Sequence, residues 1–541
     1  MHLRRAASVI GALVLLVPLG SAFGPGVAGA TPVGHGGAAG NGAPASSDGP
    51  ARVHTSAAVR AAAGPGGPVP VAATPAGGGG FWVASADGVV DDEGGAASDG
   101  DASGLDLNAP VVDIARSADG GGYWLLSSDG GVFSYGDAAF YGSTGNLALN
   151  QPALQMVATP SGRGYWFVAR DGGVFAFGDA AFHGSTGGMR LNRPVVGMAA
   201  TPDGGGYWLV ARDGGVFAFG DAAFHGSTGG ITLNQPIVGM AATPDGGGYW
   251  LVARDGGVFA FGDAAFDGSA GGQALAAPAI SIVASPDGGG YWIVLANGSI
   301  LSFGDAPAIP SSGIVSDGFS LVGQVFAIDP GHDGGNGADP AAINAIVPSG
   351  PGQTKACDTT GTETDSGYTE HAFNFDVANR LAADLRARGA AVVLTRTTDT
   401  GVGPCVNVRA AIGNEADADA ALSIHADGAP AGDRGFAVLL PALFPGFNDA
   451  VVPPSDTLGS DVVNAFAAGT PMPISDYDGT DGLQVRDDLG GLNLSTVPKV
   501  LIEIGNMKNA TDAALETSAT FRQQAADALA AGLSEDTIGY P

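Results

Sequence analysis

The sequence predicts an all-β, six-bladed propeller-like repeat domain followed by an α/β domain, and three observations carry that prediction. All six tryptophans, Trp82, Trp124, Trp166, Trp208, Trp250 and Trp292, recur at a step of 42 residues, and Pro68, Pro110, Pro152, Pro194, Pro236 and Pro278 keep the same step. Within each unit, short β-compatible runs are broken by glycine every few residues, which excludes a helical repeat and matches the strand-and-turn pattern of a propeller blade. Beyond about residue 319 the repeat gives way to apolar runs alternating with helical patterns, the signature of an α/β domain.

Taken in order, residues 1–30 read as a signal peptide: Arg4-Arg5 supplies the positive end, residues 9–19 the apolar stretch and Ala28-Gly-Ala30 the small-residue cleavage site. The apolar stretch is too short for a permanent anchor, and no later one approaches 18 apolar residues, so an exported protein without a transmembrane segment is expected. Residues 31–67 are a Gly/Ala/Pro linker that cannot bury enough apolar surface to offset its ordering entropy. The repeats occupy residues 68–312. In one unit, 237–243, 249–253 and 258–261 read as strands, with a short fourth at 264–266. The recurring Asp137, Asp179, Asp221, Asp263 and Asp305 read as turn residues that accept from backbone N–H groups. His183 and His225 share a repeat position with Tyr141 and Asp267, a variety that no metal site tolerates. The tryptophans read as core between blades. These units resemble the Gly-Tyr-Trp-Leu-Val and Phe-Gly-Asp-Ala repeats of exported actinobacterial proteins, a likeness that assigns no ligand.

A linker at 313–322 precedes the α/β domain at 323–541. There, Phe373, Val377, Leu381 and Leu385 form an apolar stripe on a helix over 370–388, with Thr369 as N-cap and Gly389 as stop. Strands are expected at 325–328, 392–395, 421–424, 436–440 and 500–504, and helices at 408–415, 461–468 and 513–533. A net charge of −31 with only 22 Lys+Arg argues against nucleic acid or an anionic membrane as partner. Cys357 and Cys405 are the only cysteines, and in an oxidising compartment the pair suggests one disulfide, closing a loop that contains Glu370.

The chemistry-bearing residues gather in the α/β domain. The run 325–328 breaks at Asp329-Pro330-Gly331 and ends on His332, and Ser423-Ile424-His425 repeats the construction. Open α/β sheets place their sites at the carboxyl ends of strands, so the two histidines are expected to converge. A hydrolytic zinc site takes three protein ligands, and the third is open between Glu370 and His371, adjacent on a helix and therefore facing different ways. Glu503 lies in the middle of the apolar run Val500-Leu-Ile-Glu-Ile504. A carboxylate there is costly unless it is paired, with Arg434 or Arg486 available, or working.

Asp329-Pro-Gly-His332, Glu370 opening a helix, Thr395-Arg396 with Asp399, Ser423-Ile-His425-Ala-Asp427 and Val500-Leu-Ile-Glu503-Ile-Gly505 together resemble the zinc-dependent N-acetylmuramoyl-L-alanine amidases of the Amidase_3 family. Cys357-Asp-Thr-Thr-Gly361, Gly403-Pro-Cys405 and Gly505-Asn-Met-Lys-Asn509 make the likeness greatest to exported mycobacterial members. The resemblance implies Zn2+ held by His332, Glu370 and His425, with Glu503 as the catalytic carboxylate, and so selects Glu370 over His371. It implies an enzyme that cleaves the amide between N-acetylmuramic acid and L-alanine in peptidoglycan; together with the signal peptide this gives a secreted, cell-wall-associated protein, whose repeats are expected to bind wall glycan or a protein. Asn506-Met-Lys-Asn509 departs from the aromatic-x-Ser-Asn run of many relatives and concerns local substrate contacts. Competing readings are a zinc peptidase or deacetylase acting on wall material, and an adhesin-like protein without turnover.

Overall fold

The computed structural model describes residues 69–77, 79–309 and 320–534. The expected signal peptide and the 31–67 linker lie outside the described residues, as does most of the 313–322 connector.

Each repeat forms one antiparallel sheet of three strands in chain order, for example Val195–Ala200, Gly206–Ala211 and Val216–Gly220. The first strands of successive repeats lie side by side around a central channel, and every residue of the middle strand Gly206–Ala211 is buried, because the sheet is covered on both faces by its neighbours. Aromatic contacts run from blade to blade. Trp82 meets Tyr123, Trp124 meets Tyr165, Trp166 meets Tyr207, Trp208 meets Tyr249 and Trp250 meets Tyr291, with ring centroids 5.0–6.0 Å apart. The sixth contact, Trp292 to Phe81 at 5.2 Å, joins the last blade to the first and closes the ring. Phe81 occupies the position held by tyrosine in the other five units.

The fourth strand expected at 264–266 does not form. Side chains take the backbone groups that a ladder would use: Trp250 Nε1 donates to Ala265 O (2.6 Å), and the hydroxyl of Tyr291 donates to Gly268 O. The same indole bond spans 15 residues in all six units.

The second part of the chain carries a six-stranded mixed sheet in the order Ala391–Leu394, Val325–Pro330, Ala420–Asp427, Lys499–Asn506, Ala437–Pro441, Leu483–Arg486. The first four strands are parallel, and Ala437–Pro441 runs antiparallel to Lys499–Asn506. Helices Glu370–Ala387, Val452–Gly469 and Ala519–Ser534 cover one face, where Phe373, Val377, Leu381 and Leu385 pack with Phe326, Ile328, Leu422 and Ile502 as the stripe predicted. Helix Val406–Glu415 covers the other face.

Several boundaries differ from expectation. Thr369 is the N-cap residue of its helix but its side chain makes no capping bond. Helix Val452–Gly469 begins well before 461 because prolines are tolerated in a first turn, where their missing N–H groups have no helical partner. The closing helix is divided into Ala510–Glu516 and Ala519–Ser534, the first capped by Asn509, whose side chain accepts from Thr511 N at 2.9 Å. The hairpin Ile346–Gly350/Gln353–Ala356 and the strand Leu483–Arg486 were not signalled by any periodicity.

The two parts meet at the amino ends of the central strands. Buried Asp419, just before Ala420–Asp427, accepts from Arg170 (3.0 Å) and Arg212 (2.8 Å) of the third and fourth repeats and from the backbone N–H of Val325 (2.8 Å). The repeats therefore brace the end of the sheet opposite to the one on which the histidines emerge.

Candidate active site

Strand Val325–Pro330 delivers His332 just beyond its carboxyl end, and the neighbouring Ala420–Asp427 carries His425 near its own. The two imidazoles stand edge to face with centroids 4.9 Å apart. His332 has a φ of 59°, a left-handed conformation unusual for a side-chain-bearing residue, which turns the chain back over the sheet edge. Gly331 makes the approach possible, since a Cβ there would lie 2.2 Å from Cε1 of His425. Gly361, at φ +73°, plays the same part on the other side, where a Cβ would lie 2.7 Å from Oε2 of Glu370.

Glu370, buried at the first turn of its helix, completes the group. Its Oε1 lies 3.2 Å from Nε2 of His332 and 3.0 Å from Nδ1 of His425. One donor atom from each residue falls within 4.8 Å of the others, and among the described residues this is the group that could hold a metal ion. Burial opposes the charge on Glu370, but the two histidines beside it hold its carboxyl well below the usual range. Burial also opposes an imidazolium at His332, yet Glu370 and Asp358 outweigh it and push that group up to about 10. Nδ1 of His332 is tied to Asp358 Oδ1 and Thr359 O, each at 3.1 Å, which leaves Nε2 to face the centre. Two nitrogens and a carboxylate on one side of an open cavity are a donor set that suits zinc.

His371 is not part of the group. Its Nδ1 pairs with Asp399 Oδ2 at 2.8 Å, and Arg396 ties the same corner by donating to Asp399 and to the backbone carbonyl of His371. The helix geometry that left the third ligand open is thus decided by which face of the first turn meets the sheet edge.

Glu503 sits opposite His425 in the register of two parallel strands, outside the three-residue group but in the same cavity. Its Oε2 is enclosed and has no hydrogen-bond partner. Burial, then Glu370, then Asp427 raise its carboxyl well above the usual range. The two arginines considered as partners are engaged elsewhere, Arg434 with Asp512 and Arg486 with Asp488. The cavity, about 420 Å³, is walled by His332, Glu370, His425 and Glu503 and by Lys355, Asp427 and the 489–492 turn.

Sequence reasoning passed over Asp358 and Arg409. Cys357 and Cys405 are joined by a disulfide with Cα atoms 4.3 Å apart. Asp358 follows the first cysteine, and Arg409, four residues after the second, pairs with Asp358 (3.1 Å) and with buried Asp329 (2.8 Å). The covalent link thus holds the carboxylate that orients His332, besides closing a loop around Glu370. The signal was present in the adjacency of polar residues to the cysteines.

A family model described as N-acetylmuramoyl-L-alanine amidase matches residues 326–535. Among curated proteins the chain is similar to N-acetylmuramoyl-L-alanine amidase Rv3717 of Mycobacterium tuberculosis, at 44% identity over 215 residues that make up 40% of this chain and 87% of that protein. Among solved structures it is similar to the N-acetylmuramyl-L-alanine amidase Ami1 of Mycobacterium smegmatis, with 41% identity, 41% of this chain, all of that chain and a TM-score of 0.39. For the apo form of Ami1 from Mycobacterium abscessus the identity is also 41%, with 39% of this chain, 98% of that chain and a TM-score of 0.37.

Proposed function

The chain belongs to the N-acetylmuramoyl-L-alanine amidase family and is a peptidoglycan amidase, and from that premise we propose that His332, Glu370 and His425 hold a zinc ion while Glu503 moves the proton during hydrolysis. The observation that carries the reading is the convergence of three donor atoms in one cavity with a second carboxylate, that of Glu503, whose Oε2 is unpartnered.

The reaction joins water oxygen to the lactyl carbonyl carbon of N-acetylmuramic acid and breaks the bond to the L-alanine nitrogen. When bound, zinc supplies Lewis acidity for that carbonyl, activates water near neutral pH and by its charge favours the ionised form of a nearby carboxylate. Glu503 takes the proton that the attacking water loses and returns it to the departing amine, a transfer for which a free, enclosed Oε2 is suited. Asp358 holds His332 in one tautomer and orientation. Glycines 331 and 361, where a Cβ would collide with His425 and with Glu370, let the ligand side chains lie close.

The same reading makes the protein zinc-dependent and secreted to the cell wall. Among the described residues no helix is long and apolar enough to cross a membrane. The division of labour follows the chain: catalysis in the α/β part from about residue 323, and wall association in the repeats over 68–312. Mass spectrometry of purified peptidoglycan digested with the zinc-loaded protein tests the chemistry. The expected products are stem peptides with a free L-alanine amino terminus. Cleavage within the stem peptide, or loss of acetyl groups alone, would replace the amidase reading with a peptidase or a deacetylase.

A further inference from the structure

The repeats place their tryptophans and tyrosines inside the ring, yet at one repeat position they set large aromatics outside it. Phe140, Phe182, Phe224 and Phe266 stand 42 residues apart and are 59–62% exposed. The backbone of three is pinned on both sides. The carbonyl before Phe182, that of Ala181, accepts from its own blade's Trp166 (2.6 Å), while the N–H after it, that of His183, donates to the hydroxyl of Tyr207 in the next blade (3.1 Å). The same hydroxyl donates to Gly184 O. Phe140 and Phe224 are held by the equivalent bonds. Three of the rings are thus presented on backbone held from both sides, and Phe266 on backbone held by the Trp250 indole at Ala265 O, which lowers the ordering entropy that a contact costs.

Their position is also defined. Arg170 and Arg212, which pair with Asp419, follow the carboxyl ends of the middle strands Gly164–Ala169 and Gly206–Ala211. The phenylalanine segments pack at the other end: His183 reaches Gly204 O in the turn that precedes Gly206–Ala211. The rings therefore surround the end of the propeller remote from the amidase part. Carboxylates lie between them. The Thr201 hydroxyl lies between Asp203 (2.9 Å) and Asp221 (3.3 Å) and shares its proton with them, Thr243 does the same for Asp245 and Asp263, and Ser161 holds Asp179.

Separate aromatic faces interleaved with fixed carboxylates do not make the contiguous apolar patch that a protein partner desolvates. They match a sugar, whose C–H face stacks on an aromatic ring while its hydroxyls donate to acceptors. The net charge of −31 disfavours a polyanion. A polymer is favoured over a single sugar because the sites repeat around one ring. Resting on the reading of the chain as a peptidoglycan amidase, which supplies the choice of sugar, we propose that this end of the propeller is a polyvalent platform for an uncharged chain of N-acetylated sugars, with Phe140, Phe182, Phe224 and Phe266 as its stacking faces. The platform is independent of the metal centre and of the residues assigned to it.

Sedimentation of the full chain with particulate chitin tests this, since chitin is an uncharged polymer of N-acetylglucosamine and contains no stem-peptide amide to cleave. Wild-type protein is expected to be retained. Phe182→Ala should weaken retention several-fold, and the combined Phe140→Ala, Phe182→Ala, Phe224→Ala and Phe266→Ala variant by about 100-fold, as the loss of multivalent engagement implies. Leu147, Met189 and Ile231 are exposed aliphatics at the amidase-facing end, so their combined substitution by Ala is the control and should bind as wild type. Unchanged thermal unfolding and unchanged hydrolysis of soluble muropeptides would show that each variant is folded. The proposal is overturned if the wild type is not retained, if the fourfold variant is retained equally, or if the aliphatic control loses as much. It is also overturned if light scattering shows that the phenylalanines instead hold two copies of the chain together.

Discussion

The propeller and the α/β part solve opposite problems with buried polar groups. In the propeller the solution is one bond pattern copied round a ring: an indole N–H to a carbonyl 15 residues on, and in five units a tyrosine hydroxyl to a glycine carbonyl. No copy is irreplaceable, as Phe81 shows by standing in the tyrosine position without a hydroxyl. The α/β part instead buries unlike charges once each. Asp329 accepts from Thr395, Ser423, Arg409 and Lys499, and Glu370 lies between two histidines. It also keeps carboxyls with no partner, Glu503 in the cavity and Glu516 beside Gly505, the latter pushed up to about 9 by burial and by Asp512. Redundant bonds make a scaffold tolerant of change, whereas a unique and incompletely satisfied network marks a site.

Breaking that contrast should give unequal effects. The largest is expected from opening the disulfide. Replacing Cys357 and Cys405 by Ser releases a loop spanning 48 residues and should cost the α/β part about 4 kcal/mol in the chain-entropy model. Denaturant unfolding under oxidising conditions measures this, and activity should fall as well, because Asp358 loses its anchor. An unchanged midpoint would mean that the ion pairs of Arg409 alone hold the loop. A smaller effect is expected in the ring. Tyr207→Phe removes the bonds to Gly184 O and from His183 N and should destabilise the propeller by about 1 kcal/mol. Hydrolysis of soluble muropeptides should not change, and a large loss of activity would contradict the separation of roles. The smallest effect is expected from removing residues 1–319. Asp419 then becomes solvated instead of paired with Arg170 and Arg212, and the remaining chain should cleave soluble muropeptides within a few-fold of the full protein. A folded, zinc-loaded fragment without activity would show that the brace at the strand ends controls the site.

The contrast also explains what the sequence made legible. Copies announce themselves: six tryptophans at one step reveal the repeat and its strands, and two apolar runs that break into Pro-Gly-His and Ile-His reveal the strand ends that carry His332 and His425. Unique long-range partners leave little periodic trace. Asp358 and Arg409 are brought to His332 by a disulfide, Asp419 by another domain, and Glu370 was separable from His371 only by resemblance until the helix met the sheet. The fourth strand failed because a strand-like composition does not reveal that side chains have already taken its backbone groups. The exposed phenylalanines were visible as letters, but not their exposure.

The central claim is that ligands and proton carrier are different residues of one site, and comparing His332→Ala with Glu503→Gln tests it most directly. Zinc content and turnover of a purified muropeptide are measured on both variants, with thermal unfolding as a check on folding. His332→Ala is expected to lose both metal and activity, since one of three protein ligands is gone. Glu503→Gln is expected to keep about one zinc per chain and to lose at least about 100-fold in kcat, the scale of a missing general acid-base. Near-normal turnover in Glu503→Gln, or loss of its zinc, would contradict the account.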